Sequence, residues 1–210
     1  IIGIDVGEYA YPILFAGAVM LFFFKKNRIQ NIGQILFGFG GLFIGLEMMS
    51  SGMKPLREFP GFIDMTLSMS DSPVLGVLVG TIFTLIVQSS SATVGILQGL
   101  YAEGLIDLKG ALPVLFGDNI GTTITAVLAA LGASVAARRA AATHVLFNVV
   151  GTIVFMLILG LFTNYVVWLS GVLGLEPKMQ IAFAHGSFNI ANTLIQLPFI
   201  GAWAYLVTKL

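Results

Sequence analysis

Residues 73–102 read PVLGVLVGTIFTLIV, then QSSS, then ATVGILQGLYA. Four consecutive polar side chains, Gln88, Ser89, Ser90 and Ser91, interrupt two apolar arms, and the arms are short. As helices, 73–88 and 92–102 reach about 24 Å and about 17 Å at the usual rise per residue. The hydrocarbon core of a bilayer is about 30 Å thick. Two such arms joined by a polar tip predict a re-entrant helical hairpin that enters and leaves on one face. Non-helical backbone at that depth is tolerated only where protein or a water-filled cavity surrounds it.

The bilayer setting follows from composition. The chain is 57% hydrophobic and 10% charged, with a mean hydropathy of +0.97, whereas a soluble domain carries roughly a quarter charged residues. Net charge is zero, which gives no electrostatic footprint for nucleic acid, and with no cysteine there is no disulfide to read. The 210 residues suffice for five or six crossings at roughly 20 residues each. The start at Ile1, without a leader pattern, suggests a piece of a longer protein.

The fold class expected is all-α and polytopic, with broken helices and one re-entrant hairpin. Residues 9–24 form a short spanning segment closed by Lys25, Lys26 and Arg28, so 1–28 is read as a linker and spanning helix and 29–210 as one membrane domain. A glycine-rich run covers 29–53, an amphipathic interfacial stretch 55–72, and further spans 110–133, 140–162 and 179–208. A re-entrant hairpin puts Lys25, Lys26, Arg28, Arg138, Arg139 and Lys209 on one side and Lys54, Arg57, Lys109 and Lys178 on the other. That excess of positive charge assigns the first group to the cytoplasm, and the hairpin opens outward.

Serine and glutamine both donate and accept hydrogen bonds, so the QSSS tip can hold an oxyanion through its donors and a small cation through its oxygens. Broken helices near mid-membrane do this in secondary transporters. The competing reading is that small serines pack and bond one turn back. The segment GDNIGTTITA, 117–126, is a second polar break. Gly117 and Gly121 permit unusual backbone angles, Asp118 or Asn119 can cap a following helix, and Thr122 and Thr123 add hydroxyls. Asp118 can also ligate a cation. HVLFN at 144–148 and HGSFN at 185–189 share H-x-x-F-N, a pair on one helix face expected to bond between helices. Glu47 reads as a bystander.

QSSSAT, GDNIGTTITA and RRAAATHVLFN, in this order, resemble the bacterial branch of the type II sodium–phosphate cotransporter family over about residues 29–200. Members carry two inverted repeats, each with QSSS and G-x-NIGT. This sequence has one of each and looks like the second repeat alone, without the helical regulatory domain of many bacterial members. Asp118 stands where many members have a small residue. The resemblance implies a symporter of the cytoplasmic membrane, with Na+ as the coupling ion and no organic cofactor. Phosphate would meet Gln88, Ser89, Ser90, Ser91, Asn119 and Thr122, and sodium Ser90, Ser91, Thr122, Thr123 and Asp118. The implied partner of the tip is the missing first repeat, or an antiparallel second copy forming a homodimer. A channel using QSSS as a filter is the alternative. A serine hydrolase using His144 or His185 lacks an acid–base partner positioned near QSSS, so no enzymatic activity is expected.

Overall fold

The computed structural model describes residues 9–53, 55 and 58–209; side chains at 46, 49, 50 and 53 are left out of the description. Among the described residues there are eleven α-helices, a 3₁₀ turn at Leu197–Phe199 and no strand. They are α1 (Ala10–Phe23), α2 (Asn27–Met53), α3 (Pro60–Asp71), α4 (Pro73–Val87), α5 (Ser90–Ala102), α6 (Leu108–Thr122), α7 (Ile124–Ala130), α8 (Val135–Leu157), α9 (Leu159–Leu173), α10 (Pro177–Gln196) and α11 (Ile200–Thr208). Leu108–Ala130, Val135–Leu157 and Pro177–Thr208 are each long and apolar enough to cross a bilayer. The expected all-helical polytopic fold, including its hairpin and its broken helices, is therefore what the chain forms.

α6 is the centre of the bundle, with most of its length buried. It runs parallel to α4 at very short range. A Cβ added at Gly76 would meet Pro113, one at Gly80 the Val114 carbonyl, one at Gly117 the Val77 carbonyl, and one at Gly121 the Thr81 carbonyl and Thr84 Cβ. Residue numbers rise together along both helices, which defines the parallel direction. Small residues are what let helices approach where lipid provides no hydrophobic drive. Around the far side of α6, Phe116, Phe155, Phe162 and Phe188 from α6, α8, α9 and α10 form an aromatic core, with Phe155–Phe188 centroids 4.7 Å apart.

Polar contacts near both ends of the bundle orient the remaining helices. Lys178 at the start of α10 pairs with the exposed Glu47 of α2 at 2.7 Å. Tyr101 and Gln98 of α5 bond to Gln180 and to the Lys178 carbonyl at 2.9 and 3.0 Å. At the opposite end, Arg139 of α8 donates to the Thr208 carbonyl at 2.7 Å. One end of the bundle therefore carries Lys178 with the α5–α6 turn, and the other carries Arg139 with Lys209. This is the division expected of a re-entrant hairpin; Lys54 and Arg57 lie outside the described residues. α3 and α4 are bent against each other by 119°, and Ser70 of α3 donates to Asp107, the cap of α6, at 2.7 Å.

A labelling experiment follows from this arrangement. The chain has no native cysteine. A cysteine at Glu103 should react with an impermeant thiol reagent added outside intact cells, and one at Arg139 should react only after permeabilisation. Reaction of both from the same side would contradict the described topology, and the reverse pattern would invert the orientation.

Two expectations are corrected. The second polar segment does not break the helix at 117–119: α6 continues through Asp118 and Asn119 to Thr122, so neither residue caps α7. The reason is that Gly117 and Gly121 serve as contact surface against α4 and keep helical angles. The H-x-x-F-N pairs do not bond between helices. Asn148 donates to the His144 carbonyl at 2.9 Å and Asn189 to the His185 carbonyl at 3.0 Å, each within its own helix. The interhelical bonds fall elsewhere, from Gln196 to the Phe147 carbonyl at 2.9 Å and from Thr152 to the Phe116 carbonyl at 3.1 Å.

Candidate functional site at the hairpin tip

α4 ends at Val87 because Gln88 adopts the left-handed conformation, φ 55° and ψ 27°, with its N–H bonded to the Thr84 carbonyl at 2.7 Å. This position is ordinarily glycine's, and among the described residues Gln88 is the one non-glycine with positive φ. A side chain here costs about 1–2 kcal/mol, and such strain concentrates at functional sites. Ser89 is extended, and its hydroxyl accepts the Ala92 N–H at 3.3 Å, capping α5. The chain thus turns back within two residues.

The tip lies about 22 Å below the start of α4, the length of a helix of its 15 residues at the usual rise. The central span Leu108–Ala130, with 23 residues, covers about 34 Å by the same measure. With Thr84 and Leu85 against Gly121, the next turn of α4 brings Gln88 to the level of 122–125. There α6 gives way to α7, at Thr123. The two polar segments read from the sequence therefore meet at one depth.

Individual site residues fare differently. Gln88 and Ser91 are exposed and Ser89, Ser90 and Thr122 half-buried. Among the described residues the side chains of Gln88, Ser90 and Ser91 have no hydrogen-bond partner, so their donors are free for a ligand. Asn119 is buried and donates to the Leu115 carbonyl at 2.9 Å. Thr122 and Thr123 donate to the carbonyls of Asp118 and Ile120 at 2.9 and 2.7 Å, leaving each hydroxyl oxygen with lone pairs. Asp118 is fully buried and faces the hairpin: Oδ1 accepts from Thr84 at 2.8 Å, and Oδ2 has no partner among the described residues. An unpaired buried carboxylate oxygen is costly.

Sequence reasoning missed Thr84 and Thr93. Both are buried, 2.9 Å apart, and join α4 and α5 one turn behind the tip. Their spacing was a usable signal, since each lies one helical turn from the break. Among the described residues no group of histidine, cysteine or acidic side chains could hold a transition metal; the ligands on offer are hydroxyl, amide, carbonyl and carboxylate oxygens, the set a hard cation takes.

Fold and site together define a polytopic membrane protein that keeps unpartnered polar groups at the tip of a re-entrant hairpin. The chain belongs to the Na+/Pi-cotransporter family, whose model matches residues 1–51 and 61–175. It is 32% identical over 195 residues to "Uncharacterized protein YqeW" of Bacillus subtilis, covering 93% of this chain and 62% of that protein. It is 27% identical over 204 residues to "Putative inorganic phosphate export protein YjbB" of Escherichia coli K12, covering 97% of this chain and 37% of the relative. Over 150 residues it is 30% identical to the human "Sodium-dependent phosphate transport protein 2B", covering 67% of this chain and 21% of the relative. The chain thus spans less than two thirds of the length of these relatives. No solved structure matches it significantly. The family is one of transporters, not enzymes.

Proposed function

We propose that this chain forms one half of a transport domain that carries inorganic phosphate across the cytoplasmic membrane in symport with sodium. The observation that carries the reading is the set of unpartnered donors at Gln88, Ser90 and Ser91, presented at the hairpin tip at the level of the α6–α7 break. The amide and hydroxyls of Gln88, Ser89, Ser90 and Ser91 would hold the phosphate oxyanion, with Asn119 and Thr122 from the facing helix. Oxygens of Ser90, Ser91, Thr122, Thr123 and Asp118 would hold Na+. Sodium binding would draw these oxygens together and favour the state that accepts the anion, which is coupling by differential affinity. Phosphate is supported by the names of the human and Escherichia coli relatives, and sodium by the family and the human relative.

Reconstitution of the full-length protein tests this. Phosphate uptake into vesicles should saturate, require an inward sodium gradient, and stop when potassium replaces sodium. Phosphate movement indifferent to sodium would sink the symport reading, and a non-saturating phosphate current would establish a channel instead.

The tip needs an opposing polar surface, because exposing it to lipid is costly. A first repeat in the same polypeptide, or a second copy turned over in the membrane, would supply it. For the isolated chain we expect the antiparallel homodimer, with Ser91→Cys cross-linking to its own copy across a two-fold axis in the membrane plane. A monodisperse monomer in mild detergent would exclude it.

A further inference from the structure

We propose that Thr84 and Thr93 are positioning residues of the transport site, fixing the QSSS tip to α6; this rests on the transport reading of the tip. Three hydrogen-bond contacts run in sequence from α6 to the turn. Thr84 Oγ1 donates to Asp118 Oδ1 at 2.8 Å, Thr84 and Thr93 hydroxyls meet at 2.9 Å, and Thr93 Oγ1 donates to the Ser89 carbonyl at 3.2 Å. The first and last of these groups lie on different elements, and the chain of contacts crosses α4, α5 and α6 at a single level.

Thr84 is the hub. Its one hydroxyl proton goes to the carboxylate, so the single Thr93 hydroxyl proton is shared between the Thr84 oxygen and the Ser89 carbonyl. Its carbonyl accepts the Gln88 N–H, the last bond of α4 before the left-handed turn. The Thr93 N–H in turn donates to the Ser89 carbonyl at 3.1 Å, the first bond of α5. The hydroxyl contacts of the two threonines thus sit directly beside both backbone bonds that define the tip. They are buried at 0% and 3% exposure, and Asp118 at 0%, so water cannot substitute for any member. Neither threonine reaches the exposed face where Gln88 and Ser91 stand; each acts through the turn.

Valine is nearly isosteric with threonine, so Thr84→Val removes the hydroxyl and keeps the close contact of residue 84 with Gly121. In the reconstituted full-length protein, Thr84→Val should raise the phosphate KM about tenfold, the effect of losing one hydrogen bond to a charged group, with the maximal rate retained. Thr84→Ser, which restores the hydroxyl, should return KM to within about twofold of the parent, a change of the size left by a small packing defect. Independently of transport, alkylation of Ser91→Cys should be faster in the Thr84→Val background and normal with Thr84→Ser. Thr93→Val, which leaves the Thr84–Asp118 bond in place, should shift labelling and KM in the same direction and carries the test if Thr84→Val does not reach the membrane. Parental KM and labelling in both valine variants would overturn the proposal, as would a serine variant that fails to rescue. A parent that moves no phosphate would defeat the transport reading, while the labelling arm would still decide the positioning role.

Discussion

Gln88→Gly in the full-length protein should give a transporter at least as heat-stable as the parent that moves phosphate at least about tenfold more slowly, the loss expected when a donor to a charged ligand disappears. The two effects have opposite signs because they come from different parts of one residue. The backbone of Gln88 is left-handed, φ 55°, which glycine adopts without the Cβ penalty. The side chain contributes nothing to packing that the described residues show: it is exposed and without a hydrogen-bond partner. On the transport reading proposed above, a residue that strains the fold and packs against nothing is retained for what its amide binds. Ser90→Ala should lower transport in the same direction without altering stability, since Ser90 likewise lacks a side-chain partner. Phosphate flux at constant membrane abundance, measured beside thermal unfolding in detergent, checks both. A Gln88→Gly variant with parental flux would return the tip to a packing role.

Gly117→Val should be the most damaging single change in the bundle. Its added carbon atoms fall onto the Val77 carbonyl of α4, a backbone atom that no rotamer change can move aside. Overpacking of a close-packed interior costs typically about 1–3 kcal/mol, and a clash against backbone belongs at or above the top of that range. α4 would be pushed from α6, taking the tip out of level with Thr122–Thr123. Gly80→Val, aimed at the Val114 carbonyl from the other helix, should fail in the same way. Gly171→Ala in α9 is the control: nothing lies within 4 Å of the added carbon, and replacing a helical glycine stabilises by up to about 1 kcal/mol. Thermal unfolding and monodispersity in detergent decide the matter. A well-folded Gly117→Val protein would mean that α4 and α6 do not approach as closely as described.

The features legible without coordinates were the local ones. The apolar arms on either side of Gln88–Ser91 fixed the hairpin, because helix length against bilayer thickness is a property of a single segment; α4 and α5 begin and end within two residues of the arms as read. The charge clusters at Lys25–Arg28 and Arg138–Arg139 are local in the same way, and the cysteine labelling decides the sidedness they predict. Contacts between helices were not legible. Helices with apolar residues on every face carry little periodic signal about which face meets which neighbour, so Gly117 and Gly121 looked like a break when they are the surface on which α6 meets α4. Asp118 looked like a cap when it is a buried acceptor for Thr84. The sequence by itself determined that this chain lives in a bilayer and turns back on itself at a polar tip. Tertiary structure alone decided which groups steady that tip, because the rotation of α6 against α4 and α5 is set by side chains distant in the chain that fit at close range.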